Sequence, residues 1–567
     1  MNKKTLLLSG VLLTVGGSYL AERVQTANGV RVSDVRFPAD SGVTMSGLLY
    51  TPETATPDHR APAVLASHGY INTREMQSAF AIELSRRGIV VLAMDMTGHG
   101  YSEGKVGAQN YGGPAAFRYL KSLPNVDTTN IGLEAHSMGG GPILAVAAKY
   151  PNGYRSMVLE GSAPGVFGKS LPLSTTFPKN TAFVFGQYDE FATLMWQSKK
   201  GSEIGGSKKM KALFGTTDVV LPNVPSGLVD SGTARMFYSP AVTHPIEHFS
   251  NAGVGDAIDW FQRTLKGIPS PRDPNDQIWK WKELGTLVAF VGFVLLMLGA
   301  FDALLQTPWF ASLRGAPVFG AESRSGRWWA SFVLTAALPA LTFYPFMRLG
   351  SMAAFKPTRV FPQGIMNQLV VWALLNAVLS LIVGAVVRAP GATRERTRPQ
   401  WGKSIVIASI TIAVGYASLA IVQSAWHVDY RFWVVGLKAF DAIHFHIALV
   451  YLVPWTLFFL VAMHSLNRLS VRGDGWLASY STAKLAMAGG FGALLVVQYG
   501  SLFTTGVLFS PKESLNTIIA IQFLPLLATI GLIGAFMYRR TGSSVPGALV
   551  CAMWVTWYVA AGTAIHA

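Results

Sequence analysis

A serine lies in a glycine-rich turn between an apolar run and a helix-like segment. The run 131–135 leads into the segment 135–141, which reads AHSMGGG, and residues 142–150 have the composition of a helix. A tight turn of this kind exposes the hydroxyl of Ser137 and surrounds it with small side chains. A serine hydroxyl is a poor nucleophile unless an imidazole accepts its proton, and the imidazole needs a carboxylate that fixes its tautomer. If Ser137 is a nucleophile, the chain must supply both groups.

The segment 135–141 resembles the nucleophile elbow of the α/β-hydrolase superfamily, with Ala135 in place of the first glycine of the usual G-x-S-x-G. The segment 67–70, which reads SHGY and ends an apolar run, resembles the oxyanion loop of the same superfamily. There, two backbone N–H groups stabilise the negative oxygen that forms in acyl transfer. The resemblance therefore implies that the amides of Tyr70 and Met138 form the oxyanion hole.

The same resemblance implies where the acid and the base lie, because the superfamily has the chain order serine, acid, histidine. The apolar run 181–185 is followed closely by Asp189, the leading acid, and the last run, 234–239, is followed by His244. We expect His244 to be the base because it is the histidine nearer to that run. Two other acids and an alternative base stay open: Glu190, Asp218 and His248.

Residues 30–268 read as one catalytic domain. Short apolar runs bounded by turn residues alternate with amphipathic stretches, which predicts an α/β-hydrolase fold with a mostly parallel sheet and helices on both faces. The candidate strands are Ala63–Ser67, Ile89–Asp95, Ile131–Ala135, Ser156–Glu160, Thr181–Phe185 and Ala234–Ser239.

The rest of the chain is dominated by long apolar runs, and only 13% of the 567 residues are charged while 50% are apolar. We predict an N-terminal signal anchor or transmembrane helix in residues 1–29, a linker at 269–283, and an all-α multi-pass transmembrane domain in residues 284–567. No small-x-small cleavage site precedes Glu22, so we expect the anchor to be retained. The eight approximate spans of the C-terminal half are 284–305, 328–347, 365–387, 404–425, 441–463, 484–506, 517–538 and 545–565.

The distribution of basic residues predicts the orientation of these spans. With the N-terminus in the cytoplasm, alternation of the spans places a larger basic group on the cytoplasmic side: Arg314, Arg324, Arg327, Arg388, Arg394, Arg396, Arg398, Lys403, Arg468, Arg472, Lys484, Arg539 and Arg540. A smaller group lies on the opposite side of this half: Arg348, Lys356, Arg359, Arg431, Lys438 and Lys512. This agrees with the positive-inside rule and predicts a multi-pass protein of the cell membrane whose hydrolase domain is extracytoplasmic.

The net charge and the cysteine count limit which binding partners and which disulfides we expect. The formal charge of +16 comes largely from residues beside apolar runs, so we expect membrane lipids and a small acyl or lipid-like substrate rather than nucleic acid. Self-association through the transmembrane domain stays open. The single cysteine excludes an intramolecular disulfide. His244 and His248 have H-x-x-x-H spacing, but Pro245 opposes a helix and no third ligand is evident, so we expect neither metal nor cofactor.

The resemblance and the predicted topology together imply a membrane-embedded serine hydrolase of the esterase or lipase type. We expect it to cleave a carboxylic ester or thioester of a lipid-like or envelope-derived acyl substrate through Ser137, His244 and Asp189. A membrane-bound serine peptidase or amidase is one alternative, because it would use the same groups. A lipid or small-molecule transporter with an accessory hydrolase domain is another.

Overall fold

The computed structural model describes residues 3–40, 42–167, 173–386 and 399–567. Of the predictions above, those on Arg388, Arg394, Arg396 and Arg398 lie outside these residues.

Ten strands are described: β1 Val30–Pro38, β2 Thr44–Pro52, β3 Ala61–Ser67, β4 Val90–Met94, β5 Val126–His136, β6 Ser156–Glu160, β7 Thr181–Val184, β8 Arg235–Tyr238, β9 Tyr430–Phe432 and β10 Val435–Leu437. The α-helices of the catalytic half and the segment before it are α1 Lys3–Gln25, α2 Ser78–Ser85, α3 Gly113–Ser122, α4 Gly140–Lys149, α5 Ala192–Trp196, α6 Lys208–Phe214, α7 His244–Glu247 and α8 Asn251–Thr264. Those of the C-terminal half are α9 Trp279–Leu304, α10 Gly326–Leu341, α11 Phe343–Gly350, α12 Gly364–Val386, α13 Trp401–Trp426, α14 Ala442–Asn467, α15 Trp476–Thr505, α16 Ser514–Thr541 and α17 Val545–Gly562.

Eight strands form one mostly parallel sheet in the order β1-β2-β4-β3-β5-β6-β7-β8. The pairs β1–β2 and β2–β4 are antiparallel, and the others are parallel. All six strands expected from the sequence are present, and the predicted fold class is confirmed. The hairpin of β1 and β2 was not expected, because Arg31, Asp34 and Arg36 interrupt the apolar pattern of β1.

Helices cover both faces of this sheet. Leu65, Leu92 and Leu133 point into the core shared with α3 and α4, whereas Val64 and Val91, one residue away along their strands, belong to the core shared with α2 and α8. This period of two is the pattern of strands buried on both faces. The carboxyl ends of the parallel strands consequently meet at one edge, where loop residues can converge.

The described part of the chain has eight helices that are long and apolar enough to cross a membrane: α1, α9 and α12 to α17, with α16 counted from Pro511. The pair α10–α11 makes a ninth if it is one span, and it corresponds to the predicted span 328–347. Its two helices meet at an angle of 43°. Pro345 has no N–H to donate to the carbonyl of Leu341, which accounts for a break at this point.

Helix α1 packs closely along α9. Gly285, Gly292 and Gly299 recur every seven residues on α9, and a side chain on Gly292 would overlap the backbone nitrogen of Thr14. Gly10 and Gly17 meet α9 in the same way on α1. Small residues permit such close approach of membrane helices. This packing supports the prediction that the anchor is retained, and an intact-mass measurement of the purified protein would test it.

The stretch predicted as a linker is partly helical and packs on the catalytic domain. Helix α9 begins at Trp279, whose side chain is 2% exposed in the core formed with α2 and α8. A carboxylate oxygen of Glu83 in α2 accepts hydrogen bonds from the amides of Ile278 (2.6 Å) and Trp279 (3.1 Å). An acceptor at this position satisfies amides that the helix itself cannot. The catalytic domain therefore continues directly into the first helix of the C-terminal half.

A buried ion cluster joins the catalytic domain to the hairpin β9–β10. It consists of Arg74, Glu75, Asp95 and Lys438. The ammonium of Lys438 lies 2.6 and 2.8 Å from the two carboxylate oxygens of Glu75 and 3.8 Å from Asp95. Burial alone would raise the pKa of Glu75, but Lys438, Arg74 and Arg431 outweigh it and hold this pKa well below its usual range. Glu75 is therefore charged and depends on its cationic partners.

We expect Lys438→Ala to destabilise the protein by roughly 3–5 kcal/mol, because it leaves the buried Glu75 carboxylate without its closest cation. Thermal unfolding of the detergent-solubilised protein would measure the effect. Arg472→Ala is the control, because it removes an ion pair with Glu322 in which both side chains are largely exposed, Arg472 by 63% and Glu322 by 74%. This variant should change the unfolding midpoint little. Equal midpoints for the two variants would contradict the importance of the cluster.

Candidate active site

Ser137 stands at the sharp turn between β5 and α4. Its φ of +55° is in the left-handed region, which is unfavourable for a residue with a side chain and is found where the surrounding fold enforces it. A side chain on Gly139 would overlap the carbonyls of Ser67 and His68 at the end of β3. Glycine at 139 thus allows the turn to approach β3, and Ser137 itself remains half-buried.

The structure brings Ser137, His244 and Asp189 together. Nε2 of His244 lies 2.9 Å from Oγ of Ser137, and its Nδ1 lies 2.8 Å from a carboxylate oxygen of Asp189. His244 begins α7 after β8, while Asp189 follows β7 and is further fixed by a 2.6 Å bond from the amide of Phe191. If Nδ1–H donates to Asp189, Nε2 is free to accept the serine proton.

Two further carboxyl groups surround His244. Glu190 accepts a hydrogen bond from the backbone amide of His244 at 2.8 Å, and Glu247 has an oxygen 3.7 Å from Nδ1. Burial, and then the charge of Asp189, raise the pKa of Glu190 to about 7 and that of Glu247 well above its usual range. Asp189 is the carboxylate closest to Nδ1. Asp218, the other acid considered, is exposed on the turn after α6.

The environment of His244 favours the charged imidazole. Burial opposes the charge, but the nearby Asp189 carboxylate and its hydrogen bond outweigh burial, so the pKa of His244 lies above its ordinary value of 6.5. Such an imidazole accepts a proton readily and stays neutral only at higher pH.

His248 packs against His136, and the serine hydroxyl is hydrogen-bonded to His244 instead. Its ring packs edge-on against His136 with centroids 4.4 Å apart, and its Nδ1 lies 3.4 Å from Nε2 of His136. Burial, and then the neighbouring His244, lower the pKa of His248 to about 3. The structure places His244, and not His248, against the serine.

One group of side chains has the spacing of a metal site: ligand atoms of His136, His244 and Glu247 lie within 4.8 Å of one another in the part of the chain that the structure describes. Both ring nitrogens of His244 are already directed at Ser137 and Asp189. Burial, and then the charge of Asp189, raise the pKa of Glu247 well above its usual range, which disfavours the ionised form that a metal ligand needs. This donor set fits proton transfer better than metal binding.

The two residues whose amides are expected to form the oxyanion hole, Tyr70 and Met138, line the same cavity as Ser137. His68 donates from Nδ1 to the carbonyl of Gly69 at 2.7 Å and accepts at Nε2 from the amide of Met96 at 3.1 Å. Because a trans peptide holds its C=O and N–H in opposite directions, the amide of Tyr70 points away from His68. The amide of Met138 is in the first turn after the strand, where helical N–H groups have no partner within the helix.

A cavity of about 310 Å³ opens at Ser137. The catalytic domain contributes Phe167, Phe191, Leu194 and Met195, among other residues, to its lining. The C-terminal half contributes five more residues, which the sequence analysis did not identify: Val434, Leu515, Ile518, Gln522 and His566. Most of them are apolar residues in an apolar region and lie far from Ser137 in the sequence. No local sequence pattern therefore distinguishes them from residues that do not line the cavity.

The C-terminal half also contacts the loops that carry Asp189, His244 and Tyr70. Tyr499 of α15 donates to the carboxylate of Glu190 at 2.7 Å, next to Asp189. The indole of Trp433 donates to the carbonyl of Pro245 at 2.5 Å, next to His244. The hydroxyl of Tyr70 lies 3.0 Å from Nε2 of His566. The positions of these loops therefore depend on both halves of the chain.

Part of the catalytic domain is similar to known hydrolases. Residues 58–188 match the family described as serine aminopeptidase, S33. A monoacylglycerol lipase of Mycolicibacterium smegmatis is 33% identical over 143 residues, which are 23% of this chain and 47% of that protein. The quorum-quenching protein AidA of Acinetobacter baumannii is 33% identical over 122 residues, or 20% of this chain and 39% of that protein.

The chain thus spans less than half the length of these curated relatives. Among solved structures, the Pyrococcus furiosus esterase Pf2001 is similar with 18% identity and a TM-score of 0.31, covering 42% of this chain and 92% of the esterase. The matched region confirms the resemblance to α/β-hydrolases that the motifs indicated, and the similar proteins include esterases and lipases.

We expect the reactivity of Ser137 to fall as the pH is lowered, with a midpoint above 6.5, because protonated His244 cannot accept the serine proton. The rate of fluorophosphonate labelling as a function of pH would measure it. Asp189→Asn should shift the midpoint downward, since it removes the group that raises the pKa of His244, and should slow labelling by about 10⁴-fold at its optimum. A midpoint that Asp189→Asn does not move would show that another group controls the profile.

Proposed function

We propose that the protein is a membrane-embedded serine hydrolase that cleaves a carboxylic ester or thioester of a lipid-like acyl substrate. The observation that carries the proposal is the hydrogen-bonded series of Ser137, His244 and Asp189 at the base of an apolar cavity. A buried imidazole between a carboxylate and a serine hydroxyl is the arrangement that activates serine for attack on a carbonyl.

The reaction would proceed in two steps. Oγ of Ser137 attacks the carbonyl carbon while Nε2 of His244 takes its proton, and the amides of Tyr70 and Met138 stabilise the negative oxygen. The imidazolium, stabilised by Asp189, then protonates the leaving alcohol or thiol, and an acyl-enzyme remains. In the second step His244 deprotonates a water molecule, which attacks the acyl group and releases the acid and the free serine.

The lining of the cavity favours an acyl ester over a peptide with a free amino terminus. An aminopeptidase must bind the positive α-amino group of its substrate, which calls for a carboxylate near the serine. None of the described lining residues is an aspartate or a glutamate. Phenylalanine, leucine, isoleucine, methionine and valine side chains instead make a surface that suits a hydrocarbon chain. The name of the mycobacterial relative, a monoacylglycerol lipase, supports the same substrate class.

We further propose that the hydrolase domain is extracytoplasmic. The ion pairs of Arg324 with Asp474 and of Arg540 with Asp302 lie at the ends of helices remote from the hydrolase domain. Basic residues of short loops concentrate on the cytoplasmic side of membrane proteins. This distribution supports a cytoplasmic position for that end of the bundle.

We expect a fluorophosphonate probe to label the detergent-solubilised protein at Ser137, and the protein to hydrolyse p-nitrophenyl esters. Ser137→Ala should abolish both, and His244→Ala should reduce both by about 10³-fold or more, because the base is lost. His248→Ala should retain most of the activity, since His248 does not contact the serine. Loss of labelling in His248→Ala with retention in His244→Ala would overturn the assignment of the base, and an unreactive wild-type protein would overturn the proposed function.

Sidedness can be tested with single cysteines in a Cys551→Ser background. Lys199 and Arg472 are both exposed, the first on the hydrolase domain and the second at the opposite end of the bundle. In right-side-out vesicles, a membrane-impermeant maleimide should label Lys199→Cys directly but Arg472→Cys only after permeabilisation. The reverse order of labelling would place the hydrolase domain in the cytoplasm.

A further inference from the structure

One wall of the cavity at Ser137 comes from a helix of the C-terminal half. Leu515, Ile518 and Gln522 of α16 all line it. Their spacing of three and four residues puts them on one face of the helix. Helix α16 belongs to a candidate membrane span. The serine is thus separated from a membrane helix only by the space that the substrate would occupy.

The part of the cavity wall that the catalytic domain supplies is largely apolar as well. Phe191, Leu194 and Met195 lie on and just before α5 and line the same cavity. Met195 is buried, while Leu194 is 54% exposed. An exposed leucine in a row of cavity-lining apolar side chains marks the place where the cavity meets its surroundings. Between α5 and α16 the structure therefore offers an apolar channel that leads to Ser137.

The α16 wall is held in a fixed position relative to the catalytic residues. The hydroxyl of Ser514, the first residue of α16, donates to the carbonyl of Glu190 at 2.7 Å, one residue from Asp189. Gln522 accepts a 2.6 Å hydrogen bond from Tyr558 of α17. A wall that is fixed in this way can discriminate between substrates by their length and width, because it does not move aside.

We propose that α16 is the acyl-binding wall of this enzyme and that Leu515 and Ile518 determine which acyl chains are cleaved. The proposal rests on the proposed function and deepens it: the substrate class is a long-chain acyl ester whose chain lies between α5 and α16 while its carbonyl lies at Ser137. A short acyl group would occupy only the end of the channel at the serine and would not reach as far along α16.

The test compares two p-nitrophenyl esters, acetate and palmitate, in the same detergent. Leu515→Trp and Ile518→Trp fill the channel and should lower kcat/KM for the palmitate by about tenfold or more, because part of the long chain can then no longer be buried. The measure is the ratio of kcat/KM for the palmitate to kcat/KM for the acetate, which should fall by about this factor because the short acetyl group needs less of the channel. Leu524→Trp is the matched control, because Leu524 lies on the same helix but is 40% exposed and does not line the cavity.

A second measurement does not depend on bulky substitutions. A fluorophosphonate with a sixteen-carbon alkyl chain that ends in a diazirine would be fixed on Ser137 of the wild-type protein and then photoactivated. Crosslinks to peptides of α16 are expected from the placement of the channel. Crosslinks confined to the hydrolase domain, or unchanged chain-length preference in both tryptophan variants, would overturn the role of α16. Failure of the proposed function would look different, because wild type would then neither hydrolyse the acetate nor react with the probe.

Discussion

The pairing of Lys438 with Glu75 is the contact on which the arrangement of the two halves depends. Both side chains are removed from water, where an ion without a partner would be strongly unfavourable. Lys438 takes its carboxylate partners, Glu75 and Asp95, from the catalytic domain, and Glu75 takes its nearest cation from the segment after β10 although Arg74 also lies 3.3 Å away. Separating the hairpin β9–β10 from the segment after the oxyanion loop would therefore remove charge compensation from both side chains. Because Glu75 follows Tyr70 by only five positions in the chain, the same pair fixes the loop that carries one of the two proposed oxyanion donors.

This dependence offers a physical reason for the many helices attached to the hydrolase domain. A single helix would hold an enzyme at a membrane, but it would not supply Tyr499 beside the acid, Trp433 beside the base or α16 beside the serine. Preorganisation of an active site requires neighbours that lock its loops. In this protein several of those neighbours come from the C-terminal half, and the cavity has one wall from each half.

Features formed by residues that are close together in the sequence could be predicted. The strand, the tight turn and the helix around Ser137 lie within about two dozen residues and follow from steric rules. The six predicted strands were recognisable because their runs are short, mostly apolar and bounded by turn residues. The resemblance to the chain order of the α/β-hydrolase superfamily implied Asp189 and His244, while Glu190, Asp218 and His248 stayed open until the distances were known. Leu515 and Ile518 could not be predicted, since an apolar residue that lines a cavity looks the same in sequence as one that faces lipid. Glu247 was missed because nothing in the sequence indicates its burial beside His244.

The close packing of α1 on α9 has a consequence for the folding of the domain between them. The catalytic domain leaves α1 after a few residues and enters α9 directly, so its two ends are held side by side by a helix pair. The backbone between the two helices therefore forms a closed loop. While α1 and α9 stay packed, the unfolded catalytic domain has fewer accessible conformations, which raises the free energy of its unfolded state. A covalent link across a loop of this size would stabilise the folded state by about 5 kcal/mol through the same effect. With a single cysteine, the protein has no intramolecular disulfide that could restrict the unfolded chain. The packing of two apolar helices, α1 and α9, has that effect instead.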